Sequence, residues 1–401
     1  MNINLADPQS FSAAVPHEEF ERLRREAPVH WTPTPSGAAR GGFWSLTRYA
    51  DIVNASRAPE TFSNSKGICY PVRSGGAEGA HPMADNVIYN DPPRHTEIRS
   101  LVAAAFTKRM VSRFAGWITE VVDTIVDDLH GRGSCDLVPL VAVELPARVI
   151  CSVIGVPLEQ RSQVVAWTND LFSREDPNGG AERADAALRA TMAYAVEMRY
   201  AQSDSADTSM IKELAVAERD GAKISDSMYQ QLVMSLLTAG FETTHTLIGQ
   251  SMRLILENPD IEAQAYAAAR AGDTVGLVEE FLRYVTPAMH MARHATHDVV
   301  LHDTEIKAGD TVLLWHVSAN RDAEVVDRPH TFDSARSRHP HQSFGAGGPH
   351  FCIGNQLARL EVQILLRELL TRGPKITLDG TPERGWSVFI NQLRSLPVVC
   401  Q

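Results

Sequence analysis

Cys352 is the residue of this sequence best placed to do chemistry. It sits near the end of the run Phe344-Gly345-Ala346-Gly347-Gly348-Pro349-His350-Phe351-Cys352-Ile353-Gly354, and helical spacing begins at Asn355. Glycines let a backbone take positive φ and pass close to a flat ligand. A helix N-terminus presents N–H groups and the positive end of the helix dipole, which favour thiolate over thiol. A thiolate delivered in this way suits a haem iron, onto which it pushes electron density, favouring O–O cleavage. The same residues also fit a buried free cysteine beside a tight turn. A phosphate-cradling loop fits less well, because no Lys-Ser/Thr follows and no dinucleotide-type strand precedes.

Two further groups stand out. Ala239-Gly240-Phe241-Glu242-Thr243-Thr244 falls inside a long helical pattern, where glycine and threonine are poor helix formers. One reason for such a cluster is a local widening that admits a small ligand and water. Glu242 beside Thr243 would then be an acid–alcohol pair able to pass protons. The other reason is a glycine that permits close helix packing, with threonine hydroxyls bonded to backbone carbonyls. Glu280 and Arg283, three apart on a helix, can pair on one face. Exposed, the pair is worth little; buried, it needs more hydrogen bonds, and Arg336 is the candidate third member of a structural group.

The elements that must position these residues are mostly helical. The longest candidate runs from Ser225 to Glu257, with Ser225 or Ser227 as cap and Asn258-Pro259 as stop. At about 1.5 Å per residue it spans roughly 50 Å. Its middle, Leu236 to Ile248, is apolar nearly all round and reads as buried. The final helix, Asn355 to Thr371, follows the cysteine loop. Helical spacing also starts after Asp91-Pro92-Pro93 and recurs over about 114–130, 139–154, 159–173, 181–202, 208–219 and 274–284. Strand patterns cover 43–47, 299–301 and 311–317, Trp386 to Val399 reads as a terminal hairpin, and Gly67 to Asn90 as a long loop. The expected class is mainly α with a small β portion (α+β), in a single domain over 1–401 without repeats or linkers.

Bulk properties narrow the field. Apolar residues at 44% and charged residues at 22% of 401 exclude wholesale disorder and allow an ample core. No apolar run is long enough to span a bilayer, and Met1 to Phe11 lacks the pattern of a signal peptide, so a cytoplasmic location is expected. The five cysteines include no C-x-x-C pair, which removes zinc ribbons and dithiol redox motifs and argues for free thiols. A net charge of -11 argues against nucleic acid and anionic membrane as partners. His290 and His294 have a zinc-like spacing only on a helix, and they lie between Thr286-Pro287 and strand-like residues.

Taken in register, Cys352 with its glycine loop, Ala239 to Thr244, Glu280 with Arg283, and Phe332-Asp333 to Arg336 resemble the bacterial cytochrome P450 proteins, over nearly the whole chain. The resemblance implies a P450 fold with the long central helix over haem b, and insertion of one oxygen atom of O2 into a C–H or C=C bond. It also implies electrons from NAD(P)H through a ferredoxin-type donor, for which the basic cluster Lys108, Arg109 and Arg113 would form a docking patch. By the same resemblance Cys352 is the proximal iron ligand, and Glu242 and Thr243 deliver protons for O–O cleavage. His95, Arg99, Arg293 and His350 hold the haem propionates, while Ala239, Phe344 and Gly354 complete the cofactor contacts. The cysteine loop is one residue longer than usual, with the extra residue at Gly348 or Pro349. A subset of the family that includes steroid and branched-lipid hydroxylases has this longer loop.

Met83, Val87, Ile88, Leu236, Ala288, Met289 and Phe389 are the expected apolar pocket residues; His290, with Cys69, Tyr70, Arg73 and His81, could hold a polar end. Asn169 to Asp176 is a further candidate pocket segment. The apolar residues suit a small, largely hydrophobic substrate, and by the resemblance the longer loop and the Phe389-Ile390-Asn391 ending lean towards a steroid or terpenoid lipid. The alternative is a tailoring hydroxylase of antibiotic or other secondary-metabolite biosynthesis, acting on an amino acid or acyl group bound to a carrier protein. A third reading, a non-catalytic haem gas sensor, needs no proton relay, and Glu242-Thr243 counts against it.

Overall fold

Ser225 starts the longest helix: its hydroxyl accepts a 3.1 Å hydrogen bond from the Met228 N–H, and the helix runs Asp226–Glu257. The structure is a computed structural model that describes residues 3–34, 38–71, 85–174, 176–202, 214, 217–219 and 222–401. Helices Ala115–Asp127, Glu144–Ile154, Arg161–Leu171, Gly180–Gln202, Pro259–Arg270, Val275–Val285 and Asn355–Arg372 surround the central one. They build the largest core with it, through residues such as Ile118, Ile150, Leu237, Phe281 and Leu365. The fold is mainly helical, with a minor sheet portion.

The central helix is α-helical throughout, so the Gly-Thr cluster does not widen it. A Cβ on Gly240 would sit 2.8 Å from Ile150 Cδ1, which makes this glycine the means of close packing against Glu144–Ile154. The other irregularity expected of a functional helix lies next door, where Val138–Val143 forms a π-helical turn packed on the central helix.

Five strands form the main sheet, in the order Val29–Pro33, Gly42–Leu46, Thr311–Leu314, Met291–Ala295, Phe62–Ser63. Beneath it Phe11, Phe20, Met289, Trp315 and Val388 make a second core. The strand expected to reach Val317 stops at Leu314, and His316–Ala319 turns into a short helix. The expected terminal hairpin divides between two sheets: Leu393–Ser395 pairs with Glu383–Arg384, whereas Pro397–Cys400 lies between Ile376–Leu378 and Gly133–Asp136. Of the expected helix at 208–219, most lies outside the described residues, and Glu218–Arg219 is a strand paired with Ala222–Lys223.

Glu280 and Arg283 are both fully buried and pair through bonds of 2.6 and 2.9 Å. Arg336 Nε joins them, donating to Glu280 Oε1 at 3.2 Å, as does the Asp333 N–H at 2.9 Å. Arg283 also donates to the carbonyls of Asn320, Pro329 and Thr331. This satisfies the hydrogen-bonding needs of a buried ion pair and ties helix Val275–Val285 to the segment that leads into the cysteine loop.

Candidate active site

Cys352 is held from both sides of its loop. Its N–H donates to the Phe344 carbonyl at 2.9 Å, and its own carbonyl accepts from Asn355 Nδ2 at 2.7 Å. The helix Asn355–Arg372 begins immediately after Gly354. Gly345, Gly347 and Gly348 all have positive φ. At Gly348 the close approach is decisive as well: a Cβ would lie 2.2 Å from the Ser56 carbonyl oxygen. The longer loop is therefore accommodated by seating Gly348 against Ser56-Arg57. Burial pushes the Cys352 thiol up, while the backbone N–H groups of Gly354 and Asn355 and the cations Arg99 and Arg359 pull it back down.

This loop forms part of the wall of a cavity lined mostly by apolar residues. The central helix contributes Leu236, Ala239, Gly240, Thr243 and Thr244 to the lining. Thr243 Oγ1 donates to the Ala239 carbonyl at 2.9 Å, which leaves the hydroxyl's lone pairs as acceptors. Glu242 is absent from the lining. Its carboxylate is fully buried, and its near neighbour is His245 Nδ1 at 3.7 Å.

His95, Arg99, Arg293 and His350 also line the cavity. The rings of His95 and His350 are 4.3 Å apart. Burial first, and then Arg99, push His95 down to about 4. Burial, Arg293 and His95 likewise hold His350 far below the usual histidine range. Arg293 is lowered to about 10 by burial, with Asp91 the opposing influence. His95 Nδ1 and His350 Nε2 are buried without a hydrogen-bond partner among the described residues. Two guanidinium groups and two histidine rings are thus gathered on one cavity.

The expected pocket divides. Val87, Ile88, Leu236 and Ala288 line the cavity, as do Phe344 and Gly354. Met289, His290 and Phe389 do not. In extended backbone successive side chains point to opposite faces, so Ala288 faces the cavity and Met289 the second core. His290 Nε2 accepts from the Tyr70 N–H and Nδ1 meets the Val388 carbonyl, each at 3.0 Å; the ring packs against Trp315 and Phe389. It is a core histidine. Of the segment Asn169 to Asp176, the described residues are likewise outside the lining, as are Cys69 and Tyr70. Met83, Arg73 and His81 lie outside the described residues.

The cytochrome P450 family model matches residues 274–372. The methyl-branched lipid omega-hydroxylase of Mycobacterium tuberculosis is 33% identical over 392 residues, covering 94% of this chain and 90% of that protein. The chain belongs to the cytochrome P450 family. The steroid C26-monooxygenase of Mycolicibacterium smegmatis is 31% identical, with 95% of this P450 and 89% of the relative covered. A solved structure of a Mycobacterium marinum cytochrome P450 in complex with pseudoionone superposes with a TM-score of 0.87, at 30% identity, over 96% of this chain and 95% of that one. This P450 is a monooxygenase whose cofactor is haem b.

The site fits that group. A cysteine at a helix start, a cradle of glycines with positive φ, and two arginines and two histidines on the cavity wall match an iron, a flat macrocycle and its carboxylates. Bound haem supplies the iron at which O2 is activated; the protein supplies the thiolate, the cations and the shape. Several lining residues escaped the sequence reading. Leu232 and Leu247 follow from helical spacing about Leu236 and Thr243. His316 and Glu361 gave no local signal. Both are buried, and burial drives their titrations in opposite senses, His316 down to about 3 and Glu361 up to about 8.

Proposed function

We propose that this P450 hydroxylates a free lipid with an elongated apolar body, of steroid or methyl-branched type. The observation that carries the reading is the cavity wall left over once the thiolate loop and the cations are set aside. Val87, Ile88, Leu232, Leu236, Leu247 and Met291 supply it, and such a wall favours an apolar body by roughly 25 cal/mol per Å² covered. The activities for which the two mycobacterial relatives are named support the same class.

In this reading Cys352 holds the iron, and His95, Arg99, Arg293 and His350 hold the cofactor's acid groups. Thr243 accepts a hydrogen bond at the reacting face, its own proton already donated to Ala239. Glu242 replenishes protons from the buried side of the helix, where His245 stands beside it. The exposed cluster Lys108, Arg109 and Arg113 receives an acidic ferredoxin. Among the described residues no helix is long and apolar enough to cross a membrane, which agrees with a cytoplasmic enzyme supplied by such a donor.

The test is an optical titration of the ferric protein with free sterols and methyl-branched lipids in one series and carrier-tethered acyl or aminoacyl groups in another. Free lipids are expected to shift the haem towards high spin and to be hydroxylated with NAD(P)H, ferredoxin and its reductase. A shift confined to tethered groups would overturn the proposal in favour of a tailoring enzyme with a carrier partner.

A further inference from the structure

Away from the haem cavity, Cys135 and Cys400 bring their sulfurs to 3.7 Å across two antiparallel strands. The register explains the approach. Cys400 lies directly opposite Gly133, and Cys135 opposite Val398. Gly133 has no side chain to meet Cys400 across the pair, so the Cys400 thiol is free to meet its diagonal neighbour on the same face. A bonded pair needs about 2.05 Å, a closure of under 2 Å that side-chain torsions and the flexing of Gly133, at a φ of 69–71° with Gly131, can supply.

We infer that Cys135 and Cys400 are an oxidisable dithiol, a covalent modification site that takes a low-molecular-weight disulfide of the glutathione class and closes to an intrachain disulfide. Cys135 is half-buried and reachable; Cys400 is buried, and burial together with Cys135 pushes its thiol up to about 12. The order of steps follows. Cys135, as thiolate, attacks one sulfur of glutathione disulfide, whose S–S bond breaks, and the departing glutathione thiolate takes up the proton. Cys400 then gives up its proton and attacks the Cys135 sulfur of the mixed disulfide, and the second glutathione leaves carrying that proton. The protein dithiol is oxidised by two electrons, and one glutathione disulfide becomes two glutathiones.

The bond would clamp strand Pro397–Cys400 to Gly133–Asp136. The next residues, Val138–Val143, form the π-helical turn that packs on the central helix, so the clamp fixes an element that supports the site without touching the cavity lining.

The experiment incubates the haem-loaded full chain with graded ratios of oxidised to reduced glutathione, then alkylates free thiols and maps peptides without reduction. The expected result is a peptide pair linked through Cys135 and Cys400, alkylatable thiols fewer by two, and a melting temperature higher by roughly 2–5 °C. Cys135→Ser and Cys400→Ser should each abolish the linked pair, while the spectrum of the haem stays that of the unsubstituted protein. Absence of the linked pair at every ratio, or glutathione remaining on Cys135 without resolution, would overturn the inference. Either variant with a changed haem spectrum is replaced by the conservative Cys→Ala, read the same way.

Discussion

Arg99 Nη2 donates a 2.7 Å hydrogen bond to the carbonyl of Phe351, the residue before Cys352. One guanidinium thus links helix Arg94–Ala103 to the thiolate loop, while its side chain lines the cavity. Removing it should cost a charge-assisted bond of about 1.5–3 kcal/mol. Arg99→Leu is expected to lose haem roughly tenfold to a hundredfold faster than the unsubstituted protein. Transfer of haem to an excess of an apo-globin measures this, and an unchanged rate would remove Arg99 from the cofactor contacts.

Thr243 lines the cavity and Glu242 is buried outside its lining; in the proposed function the two share proton delivery. Thr243→Ala and Glu242→Gln should each lower product formation by about 10²-fold, the low end of what a positioned acid supplies. Consumption of NAD(P)H should continue, with reduced oxygen species in place of product. Measuring product against NAD(P)H consumed decides the matter; a coupled Glu242→Gln enzyme would show that the acid lies elsewhere.

The Glu280–Arg283–Arg336 group carries structure. Glu280→Ala leaves two buried cations facing each other, so a loss of about 3–5 kcal/mol is expected. Denaturant unfolding of the haem-loaded protein reads it. A change under about 1 kcal/mol would mean that the pair is not the clasp of the cysteine-loop segment.

His290 makes stability depend on acid. Its bonds require the neutral ring, Nε2 accepting from Tyr70 and Nδ1–H donating to Val388, and burial pushes it down to about 3. The folded-state value lies below the unfolded one near 6.5, so the unfolded chain binds the extra proton. The stability this ring contributes is therefore complete above about pH 6.5 and is lost as pH falls towards 3. His290→Gln should flatten the stability–pH curve across that window, as followed by urea unfolding at a series of pH values. An unchanged slope would assign the acid sensitivity to other buried histidines, such as His316.

Much of this was legible in the sequence where a pattern has a mechanism. Ser225 and Asn258-Pro259 bracket the central helix almost to the residue because capping and proline chemistry are local. The glycines around Cys352 announced a tight loop, and the close approach of Gly348 to Ser56 shows why that position takes a glycine. What was not legible depends on the direction of side chains in tertiary context. Met289 and His290 sit beside Ala288 in sequence, but Met289 packs into the second core and the His290 ring packs against Trp315 and Phe389. Gly240 admits Ile150 instead of widening the helix, a choice fixed by a neighbour ninety residues away. The apolar run after Thr311 looked like one strand, yet Trp315 fills the core and the chain turns helical at His316.

The central claim is that Cys352 binds the haem iron as thiolate. The most direct measurement is the absorption spectrum of the dithionite-reduced protein under carbon monoxide, for the unsubstituted chain and for Cys352→His. The unsubstituted protein should show the strongly red-shifted Soret band of a thiolate-ligated carbonyl haem, and Cys352→His should move it to the position of a histidine-ligated one. A red-shifted band that survives the substitution, or one never seen in the unsubstituted protein, would contradict the account.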